Sequence, residues 1–386
     1  MTRRRRLRTV QVGLGLALIA TLVGPNGARA QDTVELGAIA GSSAASSLHV
    51  LYTPKGLIPT AALVDLGVPD ALTTISAGPE TFARASVADP GEVLANPDAL
   101  LSQAGGGYPS GSIPPYPYRA TANSAVGQRS SESAPGPGLD ARATAEPTEA
   151  HATATMPAFD GAAIAQVGST KATTSTSIEG NTVTVHARSE TNGFDLLAGM
   201  IHIDSVIVDL TATGNGTATT TSGGTTVTGA TFAGMPVTID KDGIHLSADG
   251  APDLSGASDP LEQLLAQGGD SLNQALAAAG IRISGLDVEE AGSGTNKQRA
   301  AQGVQIALDF SSSTVPVLEQ LISALPYVPP LAPGVPSVSD LIAIARSHQT
   351  VGIDLGRGQV ALDARPRPPL PSSPADVESA FVESPT

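Results

Sequence analysis

The sequence predicts an α+β protein that is mainly β: an antiparallel curved sheet or open barrel with a few short amphipathic helices packed on one face. Three observations carry this. Period-2 alternation of apolar and polar residues recurs along the chain, and that period belongs to pleated strands with one face in the core and one in water. Residues 170–231 hold 17 Thr, a β-branched residue that favours pleated strands. Leu and Ile at helical spacing are confined to three stretches of the C-terminal half.

Residues 1–30 have the three parts of a secretory signal: the basic run Arg3, Arg4, Arg5, Arg6 and Arg8, an apolar stretch from Val10 to Val23, and the small-residue site Ala28-Arg29-Ala30. Cleavage is expected after Ala30. Thr2-Arg3-Arg4 leaves both the general and the twin-arginine export routes open. Residues 31–103 form an N-terminal β-containing segment whose apolar stretch from Leu57 to Ile75 is able to join a sheet.

Residues 104–140 hold 13 Gly or Pro and six Ser among 37 positions, too little apolar surface to order a core, and are expected to be a loop or linker. Tyr108, Tyr116 and Tyr118 stand beside prolines there, as a polyproline-like segment able to dock in a groove or as linker tyrosines packed on the nearest sheet edge.

The main β-rich domain is expected over 141–365. Tyr118 to Ala125 and His151 to Thr155 alternate small and polar residues as weaker strands, Thr182 to Ala187 and Ile281 to Ser284 as firmer ones. In the stretch Ile201 to Leu210, Ile201, Ile203 and Ile207 face one way and Val206, Val208 and Leu210 the other, the pattern of a central strand covered on both sides. Asp240-Lys241-Asp242-Gly243 lies between two short apolar runs and reads as a hairpin turn. Aligned as a calcium loop, it would put Thr238 first and Asp249 last, a poor donor set.

Helices are expected near 259–279, 314–325 and 339–347, with Pro326 to Pro336 as a stiff connector. Val304, Ile306, Leu308 and Phe310 alternate as a half-buried strand. Val351, Ile353 and Leu355, then Val360 and Leu362 across Gly356-Arg357-Gly358, read as a tight hairpin. Residues 366–386 are a Pro-rich tail of disordered composition.

Composition removes several functions. The chain has no Cys, which excludes disulfides, thiol nucleophiles and Cys-ligated metals. Aromatics are 3% with no Trp, so a sugar-stacking cleft is poorly supplied. The leader carries six of 21 basic residues and no acidic one, leaving 15 against 36, a net charge near −21 on the mature chain. Nucleic acid and anionic lipid both need basic patches that are missing here. No apolar run in the mature chain reaches the roughly 20 residues of a spanning helix.

The segment Asn192-Gly193-Phe194-Asp195-Leu196-Leu197-Ala198-Gly199-Met200-Ile201-His202-Ile203-Asp204-Ser205-Val206, followed by a Thr-rich stretch and Thr228-Gly229-Ala230-Thr231-Phe232-Ala233-Gly234-Met235-Pro236-Val237, resembles the repeated core of the choice-of-anchor P proteins, secreted proteins of high-GC Gram-positive bacteria. The resemblance covers about 45 residues, and implies an extracellular β-rich protein without an established activity. Surface attachment is not implied, because the C-terminus lacks a recognisable anchor.

The search for chemistry returns no G-x-S-x-G elbow, P-loop or H-E-x-x-H, and the six His stand at positions 49, 151, 186, 202, 245 and 348 without a close pair. His202, Asp204 and Ser205 are the most clustered trio, but on a regular strand His202 and Asp204 project to one face and Ser205 to the other. The sequence therefore names no catalytic, cofactor-binding or metal-ligating residue. The expected function is a secreted, non-catalytic extracellular or cell-envelope-associated protein acting by binding or architecture, with an envelope component as partner. A first alternative is a carrier of an apolar small molecule in a cavity between helices and sheet, lined by Leu264, Leu265, Leu321 and Ile322. A second is a secreted hydrolase, marked by two carboxylates about 5–9 Å apart in a cleft.

Overall fold

The computed structural model describes residues 35–54, 64–89, 118–161, 165–196, 201–232, 234–246, 269–278, 281–285, 287–310 and 349–368. In chain order the strands are β1 (Leu36–Pro54), β2 (Val64–Ser76), β3 (Glu80–Ser86), β4 (Arg119–Asn123), β5 (Ser130–Gly136), β6 (Leu139–Glu146), β7 (Glu149–Met156), β8 (Phe159–Gly161), β9 (Ala165–Val167) and β10 (Thr170–Glu179). They continue as β11 (Thr182–Leu196), β12 (Ile201–Gly214), β13 (Thr219–Thr228), β14 (Thr231–Phe232), β15 (Met235–Asp240) and β16 (Gly243–Leu246). Helix α1 (Gly269–Ala278) precedes β17 (Ile281–Gly285), β18 (Val288–Ser293), β19 (Asn296–Phe310) and β20 (Gln349–Pro366).

The protein is mainly β, and every strand pairing is antiparallel. The first sheet runs β17-β19-β20-β1-β2-β3-β4 with β18 beside β19; the second runs β16-β15-β14-β12-β11-β10-β7-β6-β5, with β13 beside β12 and β8-β9 beside β11. They lie face to face: β3 over β6 and β7, β2 over β7 and β10, β1 over β10 and β11, β20 over β11 and β12. The result is a sandwich of two open sheets.

Side-chain size explains how the sheets meet. At one end the inward residues are Ala83, Ala85 and Ala122 from the first sheet and Ala143, Ala152 and Ala154 from the second, all buried. Methyl groups on both faces let the backbones approach closely enough for hydroxyls of one sheet to bond carbonyls of the other. Thr81 Oγ1 donates to Glu146 O at 2.6 Å, Ser47 Oγ to Lys171 O at 2.6 Å, and Thr191 Oγ1 to Ser47 O at 2.7 Å. At the other end Phe194, Leu196, Ile201, Ile203, Leu355 and Ile306 fill the core. Helix α1 closes that end by burying Leu272 and Leu276, one turn apart. Its Asn273 acts as a strand partner for β16, accepting from Ile244 N at 3.1 Å and donating to Ile244 O at 3.0 Å.

Both sheets contain a row at which the pleat changes phase. Inward residues of β1 are Gly41, Ser43 and Ala45 before the row, Leu48 and Val50 after it. In β2 they change from Ile75, Thr73 and Ala71 to Val68 and Leu66; in β19 from Ala301 to Val304, Ile306 and Leu308; in β20 from Ile353 and Leu355 to Gly358, Val360 and Leu362. The pairings on either side keep one register, Ser46 facing Asp70 and Arg357, Leu48 facing Val68 and Leu355, while Ser47, Pro69, Gly356 and Gly303 between them make no ladder pair.

The residue types explain the row. Gly356 sits at φ +78, which side chains avoid. Pro69 has no N–H for the ladder. A Cβ on Gly303 would overlap the Leu355 carbonyl oxygen and lie 2.6 Å from Val206 Cγ1. In the second sheet β11 changes phase between Thr191 and Phe194 around Gly193, at φ +63, and β12 between Ile203 and Val206. The two rows lie over each other, since Val206 and Val208 reach the space that side chains at Gly303, Gly356 and Gly358 would need.

Three expectations change. Gly356-Arg357-Gly358 does not turn the chain: β20 is one strand, paired with β1 on both sides of the row. In β12, Ile201, Ile203, Val206, Val208 and Leu210 all face inward, so the two apolar sets mark a phase change rather than a strand covered on both faces. Residues 119–136 of the expected linker over 104–140 form β4 and β5, and β1 to β3 share a sheet with β19 and β20. The expected helix near 259–279 is described as α1 only; the helices near 314–325 and 339–347 and positions 369–386 of the tail fall outside the described residues.

Candidate functional site

The phase change builds a polar trough on the outward face of the first sheet. Adjacent strands β2, β1, β20 and β19 place Asp70, Ser46, Arg357 and Gln302 side by side in one row. The next row toward the alanine end carries Leu72, Ala44, Gln359 and Ala300. Beyond the fault, His49 and Asp354 emerge on this same face, although three residues separate His49 from Ser46 and a regular strand would turn them apart. Small residues in the middle and long ones around them leave a cavity of about 230 Å3, with Ala44 and Ala300 as its floor and Ser46, His49, Asp70 and Arg357 among its walls.

The charges fall into two linked sets. Arg357 Nη1 lies 2.8 Å from His49 Nδ1, a contact in which the imidazole nitrogen accepts, and Arg357 Nε lies 3.6 Å from Asp354 Oδ2. Asp354 is itself 3.6 Å from His49 Nδ1. On the other side Arg84 Nη2 donates to Asp70 Oδ1 at 3.3 Å and lies 3.1 Å from Asp89 Oδ2, while Arg119 Nη2 donates to Asp89 Oδ1 at 2.9 Å. Asp89 also pairs its backbone with Gly67 at 2.7 and 2.9 Å. Burial first, and then the charge of Asp89, push the Asp70 carboxyl up to about 6, against the pull of Arg84 and His49.

The hydroxyl and the imidazole of the trough are turned apart. Ser46 Oγ donates to Leu48 O at 3.2 Å, so it is turned to the backbone and not to His49. Asp70 and Asp89 contact the same guanidinium nitrogen, which fills the place a scissile bond would take between two carboxylates. What the trough offers a ligand is a carboxylate, a guanidinium, amides and a hydroxyl over a methyl floor.

No family model, curated protein or solved structure matches the chain. The comparisons thus assign it to no catalytic family.

The residues singled out in the sequence lie elsewhere. Leu264, Leu265, Leu321 and Ile322 fall outside the described residues. His202 projects from the outward face of the second sheet, where its Nδ1 bonds Asp195 Oδ1 at 2.7 Å and its Nε2 bonds Asp204 Oδ1 at 2.9 Å. The phase change between Ile203 and Val206 leaves Ser205 outward as well, correcting the expected opposition, but it meets Thr228 and not the imidazole. Both ring nitrogens are taken, so the trio is an ion cluster rather than a triad.

Hydrogen bonds to Asp204 and then Asp195 raise the His202 pKa above its usual value. The pair's stabilisation is therefore full below the unfolded value near 6.5 and is lost as pH rises through the higher folded value. With the ring 35% exposed, solvent screening keeps this below about 1 kcal/mol. An NMR titration should find His202 above an ordinary histidine and Asp204→Asn should bring it back; a normal midpoint in the unsubstituted protein would refute the clamp.

Asp70, Ser46, Arg357 and Gln302 come from four distant parts of the chain, so no local spacing links them. Their one sequence signal is indirect: apolar alternation changes parity beside Gly303 and Gly356.

Proposed function

We propose that the protein is secreted and acts by binding, outside the cell or at its envelope, with the outward trough of the first sheet as its receptor site. The observation that carries this is a cavity of about 230 Å3 walled by charged groups of both signs and set on paired strands of the sandwich. Sites held on strands keep their geometry better than sites on loops. The leader sequence and the acidity of the mature chain support an extracellular location, and the resemblance over 192–237 agrees with it.

Native mass spectrometry of protein recovered from the culture medium of its own host tests the proposal. The expected result is an N-terminus at Gln31 and a stoichiometric small polar molecule that is absent from Ala44→Phe, whose ring fills the trough from its floor. Retention of the chain in the cytoplasm, or the same bound molecule in Ala44→Phe, would overturn it.

A further inference from the structure

Two oppositely charged groups line the trough with an atom each left over. Asp70 bonds Arg84 through Oδ1, and its Oδ2 accepts no hydrogen bond among the described residues. Arg357 uses Nη1 and Nε on His49 and Asp354, and its Nη2 has no partner among them. Both residues flank Ser46 in one row, two strand spacings apart, so their Cα atoms are about 10 Å from each other. We infer that the trough receives a small zwitterion of the amino-acid type, its ammonium group on Asp70 and its carboxylate on Arg357.

The inference rests on the trough being a binding site, and three further features favour this ligand class. Among the described residues the cluster carries Asp70, Asp89 and Asp354 against Arg84, Arg119 and Arg357, three groups of each sign. A zwitterion completes both unpartnered atoms without adding net charge. The cavity equals roughly eight water volumes at about 30 Å3 each, the size of an amino acid, and the methyl groups of Ala44 and Ala300 suit methylenes between the two charges.

Among the described residues Arg84 is shared between Asp70 and Asp89, so the half-buried Asp70 carboxylate has no cation to itself until one arrives. The groups that face Asp70 are His49 and Ser46 on β1, Arg84 on β3 and Asp89 beyond it. With the Asp70 carboxyl titrating at about 6, the free site is mostly ionised at pH 8 and about one-tenth ionised at pH 5.

Calorimetry on the full mature chain with glycine, 4-aminobutyrate and 6-aminohexanoate measures the effect of charge separation, with butylammonium and butyrate as singly charged controls. The expected result is an optimum at one length, controls at least tenfold weaker, and affinity about tenfold lower at pH 5 than at pH 8. Asp70→Asn and Arg357→Gln each lose at least tenfold, and the thermal transition of Asp70→Asn shows that the loss is not unfolding. Zwitterionic lipid headgroups share the chemistry: sedimentation with phosphatidylethanolamine vesicles would assign that source, and binding of the free compounds alone the other.

Equal affinity for a singly charged control, or unchanged affinity in Asp70→Asn, overturns the inference. Silence from all these probes while native mass spectrometry finds another molecule in the trough overturns the ligand class and spares the binding reading. Silence together with an empty trough removes both.

Discussion

Gly303→Ala is expected to destabilise the sandwich by about 3 kcal/mol or more, the upper range for forcing a group into a filled core. The added methyl would overlap the Leu355 carbonyl oxygen on the neighbouring strand and lie 2.6 Å from Val206 Cγ1 of the facing sheet. Neither obstacle can swing away. The carbonyl is held in the β19–β20 ladder next to the Val304–Leu355 pair, and Val206 is fully buried.

Relief would require β19 to leave the fault row, which would break the shared phase of β19, β20, β1 and β2 and disperse the trough. Gly180→Ala is the matched control. It sits in the β10–β11 turn at φ +59 with open space around it, so it pays only the left-handed backbone term of about 1 kcal/mol. Urea denaturation of both variants separates the effects. If Gly303→Ala loses no more than Gly180→Ala, the close approach of the two sheets at this row is wrong.

The same row marks where the sequence could and could not be read. Alternation found Thr182 to Ala187 of β11, β17, the inward face of β19 after Gly303, and the β15–β16 hairpin at Asp240 to Gly243, because each is locally regular. It failed where the phase slips. A period-2 pattern that changes parity has three physical meanings: a turn, a strand buried on both faces, or a slipped pleat. Around Gly356 the glycines favoured the turn, and between Ile203 and Val206 apolar residues at both parities, Ile207 included, favoured the two-faced strand. Both are slips.

What distinguishes them is long-range. The changes at Ser47, Pro69, Gly303 and Gly356 fall on one row only after the strands are paired. The trough was illegible for the same reason. Asp70 beside Ser46 and Arg357 is a fact of sheet order, and an ion pair such as Arg84 with Asp89 has no period to detect.

Asp70→Asn is expected to stabilise the protein at neutral pH, unusually for the removal of a half-buried, ion-paired carboxylate. The sign follows from the direction of the shift. The folded carboxyl titrates at about 6 and the unfolded one near 3.8, so between those values the folded chain holds a proton that the unfolded chain releases. The Asp70 contribution to stability therefore falls as pH rises from about 4 to about 6, and its full penalty of roughly 2–3 kcal/mol is present above that window.

Asn keeps the shape, keeps an oxygen for Arg84 and carries no charge to desolvate. Arg84 is not stranded, because Asp89 lies 3.1 Å from the same nitrogen. Equilibrium denaturation at pH 4 should find the variant and the parent within about 0.5 kcal/mol, the range of a neutral substitution. At pH 8 the variant should lead by about 1–3 kcal/mol, since part of the gain is offset by the weakened Arg84 contact. A parent protein whose stability instead rises from pH 4 to pH 6 while the variant stays flat would mean that Arg84 overcompensates the burial. The trough would then hold a satisfied ion pair with no call for an incoming ammonium group. A half-buried carboxylate that weakens the fold and lines a cavity is what the proposed ammonium-binding role of Asp70 requires.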